Sequence, residues 1–187
     1  MNYIYKNFPV TIDEFNQLFK QLGKLCYKAG WQLKSKNINN DAIYDAYDFH
    51  QDLICAMIKA GSYSKRQVYI ERSLELVKEY AVDDFIKDVV DELMDLWENR
   101  TRHGANRQKF GEYQEIMLDE LVSQIVPDER RPSKAQPLLI DTQFIIYCKQ
   151  IIWNTQKSLG KHITKRKPLR ANQVSLSDYS YLDEVGL

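Results

Sequence analysis

Apolar residues return every three or four positions along most of this chain, the interval that lines one face of an α-helix. The first run is Phe15, Leu18, Phe19, Leu22, Leu25, Cys26 and Ala29. Thr11 and Glu14 precede it at capping-box spacing, with Thr11 accepting from an orphan backbone N–H and Glu14 reaching back to another. This helix is predicted to fade in the polar stretch Lys34–Asn40. A second run, Ile43, Ala46, Tyr47, His50, Leu53, Ile54, Met57 and Ala60, follows Asn40 or Asp41 as cap and is closed by Gly61. Ser64 and Gln67 form another capping-box pair, opening a third run through Ile70, Leu74, Val77 and Ala81. Phe85, Ile86, Val89, Val90, Leu93, Leu96 and Trp97 continue it. They form either a new helix capped by Asp83 or Asp84, or the far half of one long bent helix.

Residues 99–107 (NRTRHGANR) read as a loop, and a fifth run holds Phe110, Tyr113, Met117, Leu121, Val122 and Ile125. Pro127, Pro132 and Pro137 exclude helix from the next connector. A last helix, from Leu138 or Asp141 to Gly160, carries Phe144, Cys148, Ile151, Ile152, Thr155 and Leu159 on one face. Ile145, Ile146, Tyr147 and Trp153 add apolar surface elsewhere, so this helix is expected at the centre of the core or in an oligomer interface. The expected fold is all-α: a bundle of about six helices over residues 1–160, with an extended basic C-terminal tail over 161–187.

Composition supports this reading, since 44% hydrophobic and 28% charged residues over 187 positions are enough for a packed core. No segment approaches the ~18 uninterrupted apolar residues of a membrane span, and the start lacks a basic-then-apolar leader. Cys26, Cys55 and Cys148 are odd in number and far apart, which fits neither a disulfide framework nor a zinc knuckle. A cytoplasmic protein is expected, with no membrane contact and the thiols as small core side chains.

Charge balances at 26 basic and 26 acidic residues but is unevenly distributed. Nine acids between Glu75 and Glu98 face only Lys78 and Lys87. Their simplest role is a solvated helix face, with a docking surface for a basic partner as the alternative. Bases gather at Arg100, Arg102, Arg107 and Lys109, and again at Lys161, Lys165, Arg166, Lys167 and Arg170. Each such side chain can neutralise a phosphate and release counterions, although five bases in ten residues also suit a merely solvated tail. Tyr179 and Tyr181 are candidates to stack on bases.

Enzyme chemistry finds no foothold. His50 sits on the apolar side of its run and reads as a core histidine with a hydrogen-bond partner. There is no Glu-x-x-His for a di-iron site, no glycine-rich phosphate loop and no nucleophile motif. Catalytic residues, metal and cofactor are all expected to be absent.

Two stretches resemble a known family. Leu53–Tyr80 (LICAMIKAGSYSKRQVYIERSLELVKEY) is similar to the second-to-third helix region of the accessory variability determinants of diversity-generating retroelements. Leu138–Lys161 (LLIDTQFIIYCKQIIWNTQKSLGK) is similar to their last helix. The likeness covers about half the chain. It implies a four-helix-bundle, ring-forming, non-enzymatic protein that binds structured RNA and a reverse transcriptase. This chain is longer than those proteins, and neutral where they are basic. Asp48–Leu53 with Ile58-Lys59-Ala60 also resembles the core-binding helix of sigma factors, and Val174–Asp178 their linkers, without a C-terminal helix-turn-helix. The expectation is thus a helical accessory protein binding nucleic acid, RNA before DNA, and a protein partner, with homo-oligomerisation open. The alternatives are a sigma-like factor contacting RNA polymerase and a purely protein-binding subunit.

Overall fold

The computed structural model describes residues 6–36, 46–99 and 110–161. These residues hold five α-helices and no strand: α1 (Ile12–Lys36), α2 (Ala46–Tyr80), α3 (Asp84–Glu98), α4 (Glu112–Ile125) and α5 (142–161). The connector after α4 contains one 3-10 turn, Asp128–Arg130. The all-α expectation is met, but the helices number five rather than six.

The difference lies in α2, which runs unbroken for 35 residues through Gly61 and Ser64, where a stop and a fresh start were expected. Every fourth residue from Phe49 to Val77 is buried, Gly61 and Lys65 included. Four residues turn about 400° in an α-helix, so such a row winds ~40° around the axis at each step. No single phase fits the whole helix, and the sequence pattern therefore looks like two runs. Before α3, where a new helix and one long bent helix were both open, the chain breaks: Asp83 caps that helix, accepting from the Phe85 N–H at 2.8 Å.

Packing divides the chain into two compact units. Unit I comprises Met1–Val10 with Gly61–Leu138, and unit II comprises Thr11–Ala60 with Leu139–Leu187. In unit I the second half of α2 meets α3 and α4 around Ile70, Leu74, Val77, Val90, Leu93, Trp97, Leu118 and Val122. The N-terminal segment is pinned there by Phe8, which is fully buried beside Tyr69 with ring centroids 5.4 Å apart. The Lys65 ammonium donates to the Pro9 carbonyl at 2.8 Å.

Unit II is built from α1, the first half of α2, and α5. The capping box of α1 is present: Thr11 N–H donates to Glu14 Oε2 at 2.8 Å, and Glu14 N–H to Thr11 Oγ1 at 3.3 Å. Leu18, Leu22, Cys26, Ala29 and Leu33 form its buried row. Asp141 caps α5, accepting from Phe144 N–H at 2.7 Å. α5 buries one face only (Phe144, Cys148 and Ile152), leaving Ile146, Tyr147 and Trp153 exposed. It is therefore not central in the core, the first of the two places its sequence suggests. Gln156 Nε2 bridges to Ala29 O and Gln32 Oε1, while Gly160 lies near Leu33, so α1 and α5 run parallel.

The last turns of α1 press closely on the start of α2. A Cβ on Gly30 would lie 2.9 Å from the Ala46 carbonyl oxygen and 3.2 Å from His50 N, both backbone atoms that cannot swing aside. A Cβ on Gly23 would meet only the Phe19 side chain, at 3.0 Å, and that ring is 40% exposed and can shift toward solvent more readily than backbone. Gly30→Ala is therefore expected to destabilise by about 1–3 kcal/mol, as overpacking does. Gly23→Ala should be neutral, or stabilising by up to ~1 kcal/mol through helix propensity. Thermal melts followed by circular dichroism check this, at about 2–4 °C per kcal/mol for a chain of this size. Equal shifts for the two variants would contradict the close approach at Gly30.

Candidate functional site

Of the bases singled out in the sequence, Lys161 is exposed at the end of α5. Lys165, Arg166, Lys167 and Arg170, and likewise Arg100, Arg102 and Arg107, lie outside the described residues, as do Tyr179 and Tyr181.

The described residues present a different basic surface, which the sequence reading passed over. From Phe15 to Lys36 the chain has five lysines and no acid. Lys20, Lys24 and Lys28 each stand two positions past a buried residue (Leu18, Leu22, Cys26), so they lie about 200° around the helix on its solvent side. All three are exposed, and their backbone positions span ~12 Å along the axis. Tyr27 and Trp31 flank this row and are 45% and 44% exposed. Their rings meet edge to face at 6.1 Å, and Tyr27 is held on its other side by His50 at 5.9 Å. Lys34 places its ammonium 5.1 Å from the Trp31 ring centroid. The signal that could have found this face is the long acid-free interval carrying two aromatics. Lysines alternating along a helix look like any solvated surface until burial shows which side they share.

Lys34 also sits in the last turn of α1, where a cation offsets the negative end of the helix dipole. That explanation does not reach Lys20, Lys24 or Lys28, which lie in the first two-thirds of the helix. Counted over full lengths, unit II holds 13 basic and 10 acidic residues and unit I 13 and 16, net charges of +3 and −3. Unit II is the one suited to an anionic ligand.

Other groups weigh less. The acids from Glu75 to Glu98 are all exposed, and two of them pair with lysine: Lys78 with Asp91 at 2.7 Å and Lys87 with Asp84 at 2.9 Å. A hollow of about 230 Å³ in unit I has Leu74, Met94 and Trp97 in its lining, with Glu71, Glu75 and Glu98. His50 is only half-buried, and its Nε2 is buried without the hydrogen-bond partner expected of a core histidine. Cys26 and Cys148 are buried in unit II, where burial pushes their thiols up to about 11 and about 12. Thiols so held are poor nucleophiles. Among the described residues no group of three or more His, Cys, Asp or Glu is placed to hold a metal ion. No helix among them is long and apolar enough to cross a membrane.

One carboxylate is perturbed. Glu115 is 3% exposed, and its pKa is raised, chiefly by burial and against the opposing pull of Arg66. Arg66 Nε donates to Glu115 Oε1 and stacks its guanidinium 5.6 Å from the Trp97 ring centroid. Glu115 Oε2 is buried without a partner. Nearby, Asp119 accepts from Tyr69 OH at 2.6 Å and from Lys134 Nζ, and Lys134 lies 5.3 Å over the Tyr69 ring. Perturbed carboxylates often mark reactive sites. Here the group is tied to a largely buried arginine, so the cluster reads as an internal ionic staple.

No family model matches the chain, and comparison with curated proteins and with solved structures returns no match.

The staple has a measurable signature. Glu115→Ala leaves the Arg66 guanidinium largely buried without its carboxylate and is expected to cost about 3 kcal/mol. Glu115→Gln keeps an acceptor and should cost less. A carboxylate whose folded pKa lies above its unfolded value destabilises the fold when ionised. Its contribution therefore rises as pH falls through the folded pKa, and is complete below the ordinary value. Wild type should accordingly gain on Glu115→Gln between neutral pH and the ordinary glutamate range, as read by urea melts at several pH values. A stability difference that does not change with pH contradicts this assignment.

Proposed function

We propose that this chain is a non-catalytic helical accessory protein that binds nucleic acid through unit II and engages a protein partner. One observation carries the reading: the acid-free α1 face, on which three exposed lysines in a row stand beside two half-exposed aromatic rings. Lysines neutralise phosphates in a sequence-independent way, and interleaved rings suit bases. Lys161, with Lys165, Arg166, Lys167 and Arg170 after it in the sequence, extends the same chemistry, and Arg100, Arg102 and Arg107 are secondary candidates. RNA before DNA follows the resemblance to retroelement accessory proteins, as does a reverse transcriptase as the protein partner.

A purely protein-binding role remains the second reading, favoured by the turn between α2 and α3. Val82 and Phe85 stand 90% and 74% exposed there, beside Asp83 and Asp84. An apolar knob ringed with acid fits a partner pocket edged with bases.

Binding of RNA to the full chain, measured by fluorescence anisotropy across a salt series, separates the two. Replacing Lys20, Lys24 and Lys28 together with Gln should lower the slope of log affinity against log salt by ~2, at ~0.7 per single-strand phosphate contact. Replacing Lys161, Lys165, Arg166, Lys167 and Arg170 with Gln measures the tail's share. If the α1 variant keeps both affinity and slope, α1 is not the interface. If wild type binds no RNA, the protein-binding reading takes its place.

A further inference from the structure

We infer that the α1 face takes its nucleic acid unpaired, with a base stacked on Trp31 and the adjoining nucleotide against Tyr27. This rests on the nucleic-acid reading above and adds to it the form of the strand. Paired bases hide their faces inside the stack, so a duplex offers rings nothing to stack on and is held by phosphate contacts. On a duplex, Tyr27 and Trp31 would contribute little beyond sugar contacts beside a lysine row that did the binding. An unpaired strand exposes each base, and aromatic side chains stack on it whatever its identity.

The geometry suits this use. Tyr27 is fixed between Trp31 and His50 by edge contacts at 6.1 and 5.9 Å, so little ring freedom is lost on binding. Trp31 offers a ring face that Lys34 now covers with its ammonium at 5.1 Å. A base arriving on that face would displace a flexible, exposed lysine, whose charge is then free to meet the phosphate of the same nucleotide. Lys20, Lys24 and Lys28 continue along the helix as phosphate contacts for the rest of the strand. The bases are held at one end of the face and the backbone along it.

The test uses the full chain with two labelled probes: an oligouridylate and an RNA duplex, each of about 20 nucleotides per strand. Trp31→Leu is expected to weaken oligouridylate binding roughly tenfold, as expected for one lost stack, and duplex binding less than twofold. Tyr27→Leu should act in the same direction, and the triple Lys20, Lys24, Lys28→Gln variant should weaken both probes. Should Trp31→Leu misfold, Trp31→Phe keeps a ring and gives a second readout. Oligouridylate should quench tryptophan fluorescence in wild type, and the quench should largely vanish in Trp31→Phe. Equal losses on both probes, no loss on oligouridylate, or a quench that survives Trp31→Phe overturns the stacking assignment while leaving the nucleic-acid reading intact. Duplex binding without oligouridylate binding does the same. Failure of wild type to bind either probe overturns both.

Discussion

The fold depends on α2 remaining helical from Ala46 to Tyr80, because each compact unit takes one half of that helix into its core. Glycine in a helix interior is unfavourable by ~1 kcal/mol relative to alanine, yet the helix passes through Gly61 without a break. The alternative is worse. A break leaves about four C=O groups at the end of one helix and about four N–H groups at the start of the next in need of partners, and Gly61 and Ser62 are buried away from water. Ending one helix and starting another there would take those groups out of their helical hydrogen bonds in a buried place. Continuity satisfies them at once, and the glycine penalty is small beside it.

The same demand for satisfied groups sorts the charges. Buried ions are matched: Arg66 with Glu115, and Lys65 with the Pro9 carbonyl, while half-buried Lys134 meets Asp119. On the surface, α3 carries acids with a few lysine pairs, and α1 beyond its first turn carries lysines with no acid at all. That last arrangement runs against stability. Like charges four residues apart on a helix repel by about 0.2–0.5 kcal/mol per pair, whereas a Glu–Lys pair at the same spacing would attract. Lys20, Lys24 and Lys28 form two such repelling pairs. A surface that forgoes an easy gain on its exposed face is better explained by a ligand than by folding.

Much of the fold was legible in the sequence. The Thr11–Glu14 capping box, Asp83 as one of two candidate caps and the proline connector each act over a few residues, so local chemistry suffices to identify them. Gly61 and the Ser64–Gln67 pair misled for the converse reason: they are local stop and start signals overruled by burial that only tertiary packing reveals. Apolar content likewise overstated the burial of α5, since Ile146 and Trp153 look core-like one by one but fall on the side of the helix away from Phe144, Cys148 and Ile152. The candidate site was the least legible part. Sequence reasoning weighed density of bases and found the clusters near residues 100 and 165. The α1 lysines are spread one per turn, and only knowledge of the buried side shows that they form a line.

Charge separation in a neutral chain has a further consequence. A uniformly basic protein attracts any polyanion from every direction, and its affinity is mostly electrostatic. Here the net charge is zero, +3 on one unit and −3 on the other, so the chain as a whole exerts little long-range attraction and selectivity must come from contact. Contact chemistry is what the α1 face supplies in its rings, because stacking scarcely depends on salt while phosphate pairing does. The acidic unit meanwhile repels nucleic acid and attracts basic protein surfaces. On the proposed reading, opposite net charges on the two units suit partners of opposite charge.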